Sequence, residues 1–361
     1  MTRIAFVVNG SHSSPMGYRA RGFAERLGEE YETAIFYRAS NKLRAVAEFL
    51  VGLTRFGPTI CYVLDMSFSG VLAGISYKTV SGCQLVIDTV DAIVELGRSM
   101  GRGRLGMYAT SCIETAGLRF ADRIVVRGSF HRELLAKKSV RADVIQDAFE
   151  SDKVKPLDAS DLRAKYQLQD KLTVGLLGSM VWSERLQMCY GWDLIETLRL
   201  LKDRPVVGVF IGDGTGLPVL QARAKEYGIE EKALFLGRVP YEELTKYLCL
   251  MDVCLSTQTN DAVGWVRTTG KLPLFLATGR YVLASKVGEA AYVLDQEMLV
   301  EYEGQRDEDY PRKLAERIEN LLQHPEQLVC QDRLVELAHR QFSYTAQTEK
   351  LRRVLQDMIA P

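Results

Sequence analysis

Short apolar runs rich in β-branched residues alternate with amphipathic segments from one end of the chain to the other. In the first half the runs cover residues 3–8, 33–37, 59–65, 84–88, 123–126 and 143–146. In the second half they cover 172–178, 206–212, 233–239, 253–256, 281–285 and 298–302. Continuous hydrophobicity over ~4–8 residues, bounded by turn residues, suits strands buried on both faces of a parallel sheet. Between the runs, helical spacing of apolar residues covers 18–27, 192–201, 216–227 and 241–248. This alternation predicts doubly wound α/β architecture. A polar stretch over 151–170, containing Pro156, precedes the fresh apolar run LTVGLLG and marks a seam. The chain therefore reads as two Rossmann-like domains, 1–158 and 159–343, with a helix over 344–361 that caps one of them. Ligands of such sheets bind beyond the carboxyl ends of the strands, so the two domains are expected to face an interdomain cleft.

Composition narrows the function without changing the fold. The 361 residues carry 46 basic and 46 acidic side chains, a formal net charge of zero. That balance argues against broad electrostatic capture of nucleic acid, which needs a basic excess. Seven cysteines lie far apart with no C-x-x-C pair, and only four histidines are present, which speaks against a zinc site. Most cysteines sit in apolar runs, as buried reduced thiols do. The N-terminal MTRIAFVVNG lacks the long apolar region of a secretory signal. No stretch approaches the ~18–20 apolar residues of a membrane span. The expectation is a cytoplasmic protein.

Candidate chemistry lies in the turns that follow strands. The first, NGSHSSPMGYRARG, leads into a helix start, where Asn9, Gly10, Ser14 and Gly17 suit an anion or a sugar hydroxyl. A plain strand–helix turn fits the same residues. In the second half the turns begin at Gly178–Ser179 and at Gly212-Asp213-Gly214. Glycine there lets the backbone approach a ligand, or merely supplies positive φ. The stretch NDAVGWVRTTGKLPLFLATGR places Arg267 and Lys271 around Thr268, Thr269 and Gly270. With a helix starting near Thr268, these groups would converge on a phosphate; a solvated loop with a threonine cap is the alternative. Asp88 and Asp91, at the end of the fourth run, either orient an acceptor hydroxyl or form a turn. His12 and His131 stand near strand–helix turns, and His12 is a candidate for the acceptor side. Glu289 either contacts a sugar or caps the following helix.

Taken in order, these pieces resemble the retaining GT-B glycosyltransferases of the group 1, family 4 type, which include sucrose synthases and mannosyltransferases. VIQDAFESDKVKP is similar to the family's exit from its first domain, and LTVGLLGSM followed by YGWDLIETLRLL to its glycine turn and helix. VFIGDG, ALFLGRVPYEELTKYLCLMDVCLSTQ and KLPLFLATGRYVLAS match three further motifs in sequence order. FSYTAQTEKLRRVL resembles the terminal helix that crosses back to the first domain. The resemblance covers about residues 140–361 and implies a GT-B fold with an N-terminal acceptor domain and a C-terminal donor domain. It implies that Phe235, Gly237, Arg238 and Val239 surround the nucleotide base. Arg267 and Lys271 would neutralise the diphosphate, with Gly17 and Gly178–Ser179 approaching it from opposite walls.

Two positions depart from the family pattern. Leu274 stands where a glutamate usually holds the ribose hydroxyls, and Tyr190 where a lysine usually precedes Gly191. Arg185 is the candidate replacement for that lysine. The implied activity is metal-independent transfer of a sugar, with retention, from a nucleotide-diphosphate sugar co-substrate, without a cofactor. The acceptor would be a saccharide, a lipid-linked group or a small molecule. Leu274 supports an alternative, a catalytically inactive binding or scaffold protein on the same architecture. Residues 42–56, KLRAVAEFLVGLTRF, suit a core helix or a contact with an anionic membrane surface at the inner face.

Overall fold

A computed structural model describes residues 1–99 and 101–359. The chain forms two compact units, each built on a six-stranded parallel sheet.

Unit 1 comprises Met1–Ala148, Ala262–Thr268 and the C-terminal segment from Ser343. Its strands are β1 (Arg3–Val8), β2 (Glu32–Tyr37), β3 (Ile60–Leu64), β4 (Gln84–Thr89), β5 (Arg123–Val126) and β6 (Ala142–Val144), in the order β2-β1-β3-β4-β5-β6. Alternate residues of β1 serve opposite faces, as the period of a strand requires. Ile4, Phe6 and Val8 pack with Phe23, Leu27, Leu351 and Leu355. Ala5 and Val7 pack with Phe49, Leu53 and Val63. Helix Pro15–Leu27 and the final helix Tyr344–Ile359 therefore cover one face; residues 360–361 of the expected final helix lie outside the described residues. A side chain at Gly22 would collide with the Tyr344 ring, which shows how closely those two helices approach. Helix Lys42–Phe56 buries Ala45, Phe49 and Leu53 on the other face. Asn41 starts it by accepting from Arg44 N at 3.1 Å.

Unit 2 comprises Phe149–Asp261 and Thr269–Phe342. Its strands are β7 (Leu172–Leu177), β8 (Val206–Ile211), β9 (Ala233–Gly237), β10 (Val253–Ser256), β11 (Tyr281–Ser285) and β12 (Leu299–Val300), in the order β12-β11-β10-β7-β8-β9. The strand order reverses at β7, between β8 and β10, which makes the carboxyl ends of β7 and β10 the natural crevice of this sheet.

The doubly wound α/β expectation is met, with differences at the margins. The unit boundary falls at 148/149, ten residues before the expected 158/159. The reason is local: Phe149 N donates to Phe342 O at 3.1 Å, its ring lies on His339, and the Lys153 carbonyl accepts from Thr245 Oγ1 at 3.2 Å. Residues 262–268 group with unit 1, because helix Ala262–Val266 packs there and Trp265 lies 5.0 Å from Phe130. β6 stops at Val144, since Gln146 N turns to Gln347 Oε1 at 2.7 Å. All seven cysteines are free, five of them buried. Among the described residues no helix is long and apolar enough to cross a membrane.

Candidate functional site

In unit 2, three strand ends are knitted by main-chain bonds. Gly178 N donates to Ile211 O at 2.9 Å, Gly212 N to Gly237 O at 2.7 Å, and Met180 N to Asp213 O at 2.7 Å. Gly212 holds φ 127°, and a Cβ there would collide with the Gly178 carbonyl. Only glycine fits that stacked turn. At Gly178 itself, a Cβ would lie 3.1 Å from the Tyr190 ring and 3.3 Å from Lys271 Nζ. The bare backbone of the β7 turn thus has an ammonium beside it.

That ammonium packs on an aromatic ring. Lys271 Nζ sits 3.8 Å from the centroid of the Tyr190 ring, a cation–π contact. Tyr190 is anchored by its hydroxyl, which donates to the Leu255 carbonyl of β10 at 3.0 Å. Burial pushes that phenol upward and keeps it protonated. Lys271 is the first residue of helix Lys271–Ala277, and Gly270 precedes it as the cap. The helix therefore starts three residues later than expected. Thr268 and Thr269 lie in the loop before it, and no threonine caps it.

The remaining candidates of unit 2 occupy varied settings. Phe235 stacks on the buried Phe210 ring, centroids 4.6 Å apart. Gly237 ends β9 at φ 65°, and Val239 is half-buried beyond it. Arg238 Nε pairs with Asp213 at 2.8 Å, both side chains well exposed. Ser179 is exposed. Arg185 Nη2 donates to Gln305 Oε1 at 2.7 Å. Leu274 is half-buried within the Lys271 helix, and Glu289 is buried ahead of helix Ala290–Val293 without capping it by its side chain.

Unit 1 corrects the reading of Asp88. Its carboxylate was expected to meet an acceptor hydroxyl, but it is fully buried and shared among protein groups. Arg19 Nε donates to it at 2.7 Å, Tyr62 OH at 2.9 Å and Arg127 Nε at 3.3 Å. Burial alone would raise its pKa; the two guanidinium groups and these hydrogen bonds outweigh that and hold it below the usual carboxylate range. Asp88 is a structural anion. Arg127 also reaches Asp147 at 3.0 Å. Sequence reasoning missed Arg19, Tyr62, Arg127 and Asp147; the available signal was Arg127, a charged residue directly after the apolar run RIVV.

Arg267 and Thr268 also belong to unit 1. Arg267 Nε lies 3.2 Å from Asp91, and Thr268 Oγ1 donates to Asp147 at 3.2 Å. The guanidinium expected on a diphosphate is thus turned to a carboxylate. His12 is exposed, with its ring 5.6 Å from Tyr37. Gly17 lies where a side chain would strike the Ser11 and His12 carbonyls, and its N–H is capped by Ser14 Oγ at 3.1 Å. Asn9 lines a separate cavity with Met66 and Ser67. Asp65 at the end of β3 takes φ 76°, rare for a residue with a side chain.

The whole architecture matches solved structures. HepE of Anabaena in complex with UDP superposes with a TM-score of 0.77 at 14% identity, over 99% of this chain and 100% of that one. The fold is GT-B. Sucrose-phosphate synthase from Thermosynechococcus elongatus shares GT-B at a TM-score of 0.77 and 15% identity, over 99% of each chain. No protein-family model matches the sequence. A curated relative, the GPI3 subunit of phosphatidylinositol N-acetylglucosaminyltransferase from Saccharomyces cerevisiae, is 23% identical over 186 residues, half of this chain. The match spans 39% of that relative's length. GT-B architecture hosts more than one chemistry, so activity is argued from the site.

Proposed function

We propose that this protein is a glycosyltransferase that binds a nucleotide-diphosphate sugar at the carboxyl edge of the unit 2 sheet. The observation that carries the reading is the Lys271 ammonium held beside the bare Gly178 turn. The departing nucleotide gains negative charge as the sugar's anomeric carbon leaves its phosphate oxygen. A fixed cation beside a backbone turn stabilises that charge without reorganisation. The HepE structures contain UDP and UDP-glucose, which supports a nucleotide-sugar donor for the same fold here.

In the proposed reaction the bond from the anomeric carbon to phosphate oxygen breaks and a bond to an acceptor hydroxyl oxygen forms on the same face. The hydroxyl proton passes to the departing phosphate, so configuration is retained. Lys271 supplies the charge that a divalent ion supplies elsewhere, so transfer is metal-independent. Incubation with a panel of nucleotide sugars in excess chelator, followed by proton NMR of the product, tests each part. A product of unchanged anomeric configuration is expected. Inverted product, or activity restored only by Mg²⁺ or Mn²⁺, contradicts the mechanism.

Leu274 favours the second reading, a binding protein that has lost transfer, because an aliphatic side chain cannot bond ribose hydroxyls. Nucleotide binding without turnover of any donor in the panel would establish it.

A further inference from the structure

Unit 1 contains a cavity of about 630 Å³ that no step of the proposed transfer uses. Its volume falls within the ~300–1,000 Å³ of small-molecule sites. The wall is largely apolar, with Met66, Phe68, Ile93, Leu96 and Ile113 contributing from the β3 turn and three helices. Two cations, Lys42 and Arg102, line it and are solvent-exposed. Arg102 Nη1 is held at 2.6 Å by Thr110 Oγ1, which fixes that guanidinium in place. The Ser67 hydroxyl is buried in the same wall and has no hydrogen-bond partner among the described residues.

Large apolar side chains stand in solvent on the helices that form the cavity. Leu43 is 74% exposed, Leu105 88% and Tyr108 73%. Isolated exposed apolar residues are ordinary, but these three lie on segments bordering one apolar cavity. An apolar cavity with two cations on its wall matches a molecule with an apolar tail and an anionic head.

We propose that this cavity binds the tail of a phosphate-bearing amphiphile, with Lys42 and Arg102 on the phosphate. Ala109 lines the cavity, is exposed, and lies on helix Arg104–Phe120, so a tryptophan there fills the space without disturbing the core.

The test is calorimetric titration of the full chain with decyl phosphate below its micelle concentration, beside decyl glucoside and inorganic phosphate. Decyl phosphate is expected to bind more tightly than either. Ala109→Trp is expected to weaken it by roughly tenfold or more, and Lys42→Gln several-fold for decyl phosphate but not for decyl glucoside. UDP titrated into the same samples is expected to bind equally well to wild type and Ala109→Trp. Equal binding of decyl phosphate by wild type and Ala109→Trp, or tighter binding of inorganic phosphate, overturns the cavity proposal. Equal binding of decyl phosphate and decyl glucoside overturns the assignment of the cations. If decyl phosphate binds as described while UDP does not, the donor reading fails and the cavity stands.

Discussion

The ammonium of Lys271 faces the ring of Tyr190, 3.8 Å from its centroid, and the two enclose the backbone of Gly178. Tyr190 stands where the resemblance leads one to expect a lysine. It does not supply a charge; it positions one.

That relationship predicts a divergence between two substitutions. Tyr190→Phe keeps the ring and loses only the hydrogen bond to Leu255, so UDP affinity should hold while stability falls by about 1 kcal/mol. Tyr190→Leu removes the ring face, worth about 1–2 kcal/mol to a partly desolvated cation. UDP affinity should then fall several-fold. Equal affinities in Phe and Leu variants would show that the ring does not position Lys271.

Asp193 makes stability depend on pH. It is buried at the start of helix Trp192–Leu200, and burial first, then the Asp307 carboxylate, push it up to about 7. Arg306 offsets part of this, whereas Glu196 and Glu308 add to it. The folded chain therefore keeps a proton that the unfolded chain releases near pH 4. Stability falls as pH rises from about 4 to about 7, by about 4 kcal/mol at most. Asp193→Asn should melt above wild type at pH 8, with the gap narrowing by pH 5 and closing near pH 4. A variant no more stable than wild type at pH 8 contradicts the assignment.

His131 acts in the opposite direction. Burial, and then Lys138, push its ring down to about 4. The fold requires the neutral ring, so its contribution is present above about pH 6.5 and lost as pH falls toward 4, about 3 kcal/mol in all. Denaturant midpoints of His131→Phe between pH 7 and 4 should show a flatter acid limb than wild type. An identical acid limb would place the sensitivity elsewhere.

The strands were legible because both sheets are covered on both faces. Runs such as RIAFVV and YVLAS are apolar apart from one terminal residue each, Arg3 and Ser285, and their limits coincide with β1 and β11. The short edge strands were not. β6 ends where the Gln347 side chain takes the Gln146 N–H, a partner about two hundred positions away. Gly212 was legible as a turn because its positive φ and its contact with Gly178 both exclude a side chain. Asp88 was misread for the opposite reason. A strand-end carboxylate usually faces a crevice, and nothing local announces that Arg19 and Arg127 will close over it. Arg267 was legible as a cation but not as the partner of Asp91, which lies far away in sequence.

Calorimetric titration of UDP into wild type, Lys271→Ala and Arg267→Ala tests the donor site at Lys271 most directly. A charge-assisted contact of ~1.5–3 kcal/mol predicts that Lys271→Ala binds UDP roughly tenfold more weakly or worse. Arg267→Ala, whose guanidinium is already on Asp91, should lose less. UDP affinity unchanged in Lys271→Ala, or a larger loss in Arg267→Ala, would contradict a donor site built on the Gly178 turn and its ammonium.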